Sequence, residues 1–288
     1  MSVRLSFTFA AAITASLLFA NAASAAMDPA CEPAKLATKY PGLVGKTVKF
    51  GADPQTPPYV ARDAADFNKV TGIAVDMAKE VMDCAGAKYE FVLGAWSGIL
   101  PAVISGQMDA MWDDLYYKPD RAKNIDFVMY MGAGTGALVP AGNPKKVNAL
   151  ADFCGKTVAY GIGSIEEAAT LKQQETCKAE GKAAITTMPF QDLAAGLRLL
   201  ESDRTDILLW DLGYIDFMAA ANPTKYARAF SIVSGFQIGV GVKKGNDDLV
   251  KAVYDGIKIM QANGTQKKIF AKYNTDAALQ IPVEIKTK

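Results

Sequence analysis

The chain contains no histidine. That excludes a Ser-His-Asp or Cys-His catalytic pair, His-ligated zinc and imidazole-based pH switching, so any proton chemistry must run on carboxylates, Lys, Tyr, Ser or Cys. Two carboxylates are singled out by spacing. Asp109-Ala110-Met111-Trp112-Asp113-Asp114 and Asp206-Ile207-Leu208-Leu209-Trp210-Asp211 each follow an amphipathic pattern, open with Asp and end in a carboxylate five residues later. In open α/β sheets ligands collect at the carboxyl ends of strands, which makes Asp114 and Asp211 candidates for one shared cleft. As turn residues or helix caps they would serve the fold alone.

Short β-rich runs alternate with helical patterns along the chain, which predicts an α/β fold with sheets covered by helices. Strands are expected at Val48–Ala52, Tyr89–Leu93, Ala110–Trp112, Thr157–Tyr160 and Ile207–Trp210. Helices are expected at Ile73–Cys84, Ile99–Ser105, Ser164–Cys177, Leu193–Leu200, Asp247–Asn263 and Thr265–Tyr273. Gly132-Ala133-Gly134-Thr135-Gly136 reads as a hinge after which the pattern restarts, and Gly235–Gly241 as a second crossing. Two similar helix-strand units in two halves predict two lobes: residues 26–135 plus 237–288, and residues 136–236.

The first 25 residues differ from the rest. Arg4 precedes an almost wholly apolar Leu5–Ala20, and Ala23-Ser24-Ala25 supplies small residues for cleavage, so 1–25 reads as a secretory signal peptide and the chain as periplasmic. The apolar run is short for a bilayer core of roughly 30 Å. With 31 basic and 30 acidic residues there is no strong net field to draw the protein to nucleic acid or an anionic membrane. The four cysteines, Cys31, Cys84, Cys154 and Cys177, lie in the exported part, where an even count argues for two disulfides. Of three possible pairings, Cys31 with Cys84 and Cys154 with Cys177 keeps each bridge inside one lobe. No Cys-x-x-Cys spacing supports a metal site instead, and no cofactor is expected.

Several ordered motifs resemble one family. They are Asp53-Pro54 with Pro58-Tyr59, Thr71-Gly72-Ile73-Ala74-Val75-Asp76, Trp96 to Pro101, and Gly106-Gln107-Met108-Asp109-Ala110. Further on come Lys118-Pro119-Asp120-Arg121 with Ile125-Asp126-Phe127, Gly155-Lys156-Thr157-Val158-Ala159 with Gly163-Ser164-Ile165, and Ala262-Asn263-Gly264-Thr265 before Ile269-Phe270-Ala271-Lys272-Tyr273. From Val48 to about Tyr273 the chain resembles the family 3 solute-binding proteins of polar amino-acid ABC transporters, which have the type II periplasmic-binding-protein fold.

The resemblance implies a free amino acid held between the lobes, with Arg121 on its carboxylate and Asp211 on its amine. A guanidinium fork can hold a carboxylate through two parallel hydrogen bonds. Outside the cleft, Arg121 would instead make a surface ion pair with Asp120 or Asp126. Ser164, at a helix start, would help receive the carboxylate as well as cap the helix. Tyr59 and Trp96 match positions that flank the ligand, and either could equally be core.

One departure bears on the ligand. Where many members carry small hydroxyl residues ahead of the arginine, this chain has Asp113-Asp114-Leu115-Tyr116-Tyr117, which adds Asp114 and Tyr116 to the candidate site. Asp114 either faces the cleft, favouring a ligand with extra positive charge, or pairs with Arg121. The expected function is capture of a small polar solute, an amino acid or amine-bearing acid, by a monomer that delivers it to a membrane ABC permease. The alternatives are an exported dehydratase acting on prephenate-like acids, with Glu166, Glu167 or Asp114 as the acid, and a ligand-sensing accessory protein.

Overall fold

The computed structural model describes residues 27–287, together with Met1. The expected signal peptide lies outside the described residues apart from Met1. No helix among the described residues is long and apolar enough to cross a membrane.

Nine strands form one mixed sheet: β1 (Thr47–Ala52), β2 (Lys88–Leu93), β3 (Ala110–Met111), β4 (Ile125–Pro140), β5 (Thr157–Gly161), β6 (Thr186–Phe190), β7 (Ile207–Asp211), β8 (Tyr226–Lys243) and β9 (Gln280–Lys286). They lie in the order β2-β1-β3-β8-β4-β7-β5-β6, and β9 pairs with β4. The strands that flank the centre, β1 with β2 and β3, and β5 with β6 and β7, pair in parallel. Parallel pairing requires crossover connections, and helices supply them: α1 (Ile73–Ala85), α2 (Trp96–Ser105), α3 (Ile165–Ala179) and α4 (Leu193–Glu201). Three more follow: α5 (Leu212–Ala221), α6 (Asp247–Ala262) and α7 (Thr265–Lys272).

The two long strands belong to both halves. Residues 125–131 of β4 pair with the end of β8 and with β9, whereas 135–138 pair with the start of β8 and with β7. The glycine-rich run at 132–136 therefore lies within a continuous strand. One reason for its composition is local: a Cβ on Gly136 would stand 2.9 Å from the Cβ of Ile215, so the missing side chain lets α5 lie against β4.

Patterning explains the burial. In α1 the buried set Ile73, Ala74, Met77, Ala78, Val81, Met82 and Ala85 repeats at helical spacing, one stripe facing the core. In β7, Ile207 and Leu209 enter one apolar cluster with Phe153 and Val158, while Leu208 and Trp210 enter another with Trp96 and Phe190. That is the two-residue period of a strand buried on both faces. The second of these clusters draws residues from both halves.

Both expected disulfides are present. Cys31–Cys84 ties the start of the described chain to α1, and Cys154–Cys177 ties the segment before β5 to α3.

Candidate functional site

The site begins at strand ends. β3 stops at Met111, and the chain then turns through Asp113, whose carboxylate accepts from the backbone N–H groups of Asp53 (2.8 Å) and Asp114 (2.9 Å) and from the Thr56 hydroxyl (2.6 Å). Asp113 thereby bolts the loops after β1 and β3 together, and Asp114 is carried to the cavity. On the other half β7 runs to Asp211, which caps α5 by accepting from the Tyr214 N–H at 3.0 Å. The repeated motif of the sequence therefore delivers its two terminal carboxylates to one place: Asp114 and Asp211 line the same cavity of about 210 Å³.

Trp96, Tyr116, Arg121 and Ser164 line it too. Trp96 meets Trp210 edge to face, with ring centroids 5.2 Å apart, so an aromatic pair from opposite halves forms part of the wall. Ser164 caps α3, its hydroxyl accepting from the Glu167 N–H at 3.1 Å, as a residue at a helix start should. Tyr116 donates to Asp211 at 2.7 Å, and its hydroxyl also lies within hydrogen-bond reach of the Gly134 carbonyl.

Arg121 spans the cleft. Its guanidinium donates to the Tyr116 carbonyl (2.7 Å) and to the Gly163 carbonyl of the other half (2.9 Å). Of its five N–H donors two are thus engaged, and the remainder stay available. The surface ion pairs weighed for it do not form: Asp120 pairs with Lys123 at 2.6 Å and Asp126 with Lys244 at 2.9 Å. Among the described residues no carboxylate oxygen comes within 4.0 Å of it, so the alternative pairing of Asp114 with Arg121 is also absent. Burial lowers the Arg121 pKa to about 10, which leaves the group charged at neutral pH.

Tyr59 is the remaining candidate from the sequence. It is buried and is not among the residues lining the cavity; its hydroxyl lies near Asp211, both beside Gly213. Gly213 makes this possible, since a Cβ there would stand 2.8 Å from the Tyr59 oxygen. Tyr59 therefore supports the site from outside the cavity instead of flanking its contents.

Three lining residues were not assigned to ligand binding from the sequence: Ile165, Glu166 and Trp210. Glu166 is 3% exposed and accepts from the Thr135 hydroxyl of β4 at 2.9 Å. An acid in the first turn of a helix ordinarily reads as a solvated complement to the dipole, which hides this role. The neighbouring Ser164, already placed in the cleft, was the available signal.

The electrostatics are one-sided. Burial pushes the Glu166 carboxyl up to about 7 against the hydrogen bond from Thr135. Asp211 is pushed up by burial in spite of its donors. Asp114 is raised furthest, by burial first and then by Asp113, Asp211, Glu166 and Asp53. Its Oδ1 is buried with no hydrogen-bond partner. Such a set holds protons or attracts a cation, because unbalanced charge in a desolvated cleft is unfavourable. Among the described residues no group of His, Cys, Asp and Glu is arranged to hold a metal ion.

Comparison with known proteins agrees with this architecture. The family model of bacterial extracellular solute-binding proteins, family 3, matches residues 48–276. The chain is 28% identical over 239 residues to the L-cystine-binding protein TcyJ of Escherichia coli (strain K12), covering 81% of this chain and 86% of that protein. Among solved structures, an ancestral arginine-binding protein bound to arginine superposes with a TM-score of 0.71 at 28% identity, covering 79% of this chain and 97% of that one. An ancestral amino acid-binding protein, AncCDT-1, a precursor of cyclohexadienyl dehydratase, gives 0.69 at 26% identity, covering 79% and 95%. The chain belongs to the bacterial extracellular solute-binding proteins, family 3, with their two-lobed α/β fold.

Proposed function

We propose that this protein works in the periplasm, closing two lobes, 26–135 plus 237–288 and 136–236, around an amine-bearing amino acid that it delivers to an ABC permease. The observation that carries this reading is the cavity between the halves, in which the charged Arg121 stands with Asp114, Glu166 and Asp211. The free N–H donors of Arg121 and the Ser164 end of α3 suit a carboxylate; the acids suit an amine. Closure would bend β4 and β8, the strands shared by both halves. The name of the cystine-binding relative and the arginine-bound neighbour support an amino acid as the cargo.

Calorimetry of the mature protein against a panel of basic, neutral and acidic amino acids tests the reading. Binding of a basic or neutral member at micromolar concentrations supports it, and absence of binding across the panel overturns it.

A second reading, an exported dehydratase, draws on Glu166, a buried carboxyl raised to about 7 as a general acid requires. The electrostatics disfavour it, because a prephenate-like diacid would face three carboxyls with one guanidinium in compensation. We therefore assign a binding role and no catalysis. Turnover of prephenate by the purified protein would reverse that assignment.

A further inference from the structure

Asp114 and Asp211 arise from the same sequence pattern and line the same cavity, but their surroundings are opposite. Asp211 is held by donors: the Tyr214 N–H at 3.0 Å on one oxygen and the Tyr116 hydroxyl at 2.7 Å on the other. A carboxylate accepts through both oxygens, and each oxygen of Asp211 already has a donor. Tyr116 comes from the half of the molecule that carries β1 and β3, whereas Asp211 ends β7 in the other, so this bond runs across the cleft.

Asp114 has no such enclosure. It is 3% exposed and lines the cavity, no hydrogen bond reaches its carboxylate among the described residues, and its Oδ1 is buried without a partner. A buried carboxylate oxygen left unpaired is unfavourable by more than an ordinary hydrogen bond contributes, so the site is unbalanced until a donor arrives. The neighbouring acids Asp113 and Glu166 already have partners: Thr56 and two backbone N–H groups for the first, Thr135 for the second. Arg121 directs its bonds to two carbonyls instead.

We infer that Asp114 is the acceptor for the cationic group of the solute and sets the preference for charge, while Asp211 is committed to holding the two halves together. This rests on the proposed function and deepens it, since it assigns the amine to a residue that the family resemblance does not. The chemical class follows: a solute bearing an ammonium or guanidinium group that can enter a desolvated pocket and donate to Asp114.

The test uses L-arginine and L-citrulline, nearly isosteric amino acids that differ in side-chain charge, titrated calorimetrically into wild type, Asp114→Ser, Asp114→Asn and Asp211→Asn. Wild type should prefer arginine, and both Asp114 variants should lose at least tenfold of that preference, equivalent to about 1.4 kcal/mol. Asp211→Asn should weaken both ligands together and leave their ratio within about threefold, corresponding to roughly 0.7 kcal/mol. Ligand-free Asp114→Asn should melt no lower than wild type, because it replaces a buried carboxyl that has no hydrogen-bond partner, and that readout separates a lost ligand contact from misfolding. An unchanged ratio in folded Asp114 variants, or a ratio that collapses in Asp211→Asn alone, overturns this assignment and leaves the binding function standing. Failure of wild type to bind either compound, or any other member of the panel, overturns the binding function as well.

Discussion

Arg121 keeps its charge in spite of burial, since a pKa of about 10 still lies well above neutral. Replacing it with alanine should weaken a carboxylate-bearing ligand by about 2 kcal/mol or more, measured by calorimetry, and Arg121→Lys should recover only part because an ammonium cannot make a two-pronged contact. An alanine variant with wild-type affinity would put Arg121 outside the site. Glu166 gives a prediction in pH. Its carboxyl titrates near 4.5 in an unfolded chain and at about 7 in the fold, mainly through desolvation. The folded state therefore holds this proton more tightly, so the contribution to stability is full below about 4.5 and is lost as pH rises through 7. Glu166→Gln removes that titration. Its melting midpoint should gain on wild type steadily from pH 5 to pH 7.5, and a constant gap over that range would refute the shift. How much of the site was legible differs residue by residue. Asp114 and Asp211 could be placed because each closes the same six-residue pattern, a property of sequence. The enclosure of Asp211 could not, since it depends on Gly213 lacking a Cβ where Tyr59 arrives from far along the chain.

Among the elements, those with a clean period were readable. α1 was expected at 73–84 and spans Ile73–Ala85; β7 was expected at 207–210 and spans Ile207–Asp211. The strands β4 and β8 were read only as a hinge at 132–136 and a crossing at 235–241, and three further elements were not read, each for a physical reason. β6 and β9 contain Pro189 and Pro282, which argue against a strand in the middle of a sheet; β6 lies at the sheet edge, and β9 joins β4 beside the main strand order. α5, Leu-Gly-Tyr-Ile-Asp-Phe-Met-Ala-Ala-Ala, is apolar on most sides and shows no helical stripe. The disulfides act at this scale as well. Cys154–Cys177 closes a separation of 23 residues, for which loop entropy gives a stabilisation of about 3 kcal/mol; Cys31–Cys84 closes 53, for about 4 kcal/mol. The double variant Cys154→Ser/Cys177→Ser should therefore lose roughly 2 to 5 kcal/mol in denaturant titration. A loss well under 1 kcal/mol would mean that the segment before β5 is held by its packing alone.

At the scale of the whole molecule, polar bonds that join the halves among the described residues include Tyr116 to Asp211, Arg121 to the Gly163 carbonyl, the Lys118 ammonium to the Ser164 carbonyl at 3.4 Å and the Ser97 N–H to the Gln191 carbonyl at 3.2 Å. Removing both hydroxyls in Tyr59→Phe/Tyr116→Phe leaves the aromatic packing in place but strips Asp211 of its Tyr116 donor and of the nearby Tyr59 hydroxyl. Small-angle scattering of the ligand-free variant should then report a larger radius of gyration than wild type, and identical profiles would show that these bonds do not hold the halves together. The strand order carries one more consequence, in time. β1, β2 and β3 leave the ribosome before residue 112, but their next neighbour β8 ends at residue 243, and α6, whose Leu249 and Val253 share a core with Phe50 and Val81, comes later still. β5, β6 and β7 together with the second part of β4 are all available by residue 211. A chain emerging from its N-terminus can therefore assemble its middle first, and the half begun earliest is finished last, an inversion of the usual correspondence between synthesis and folding order.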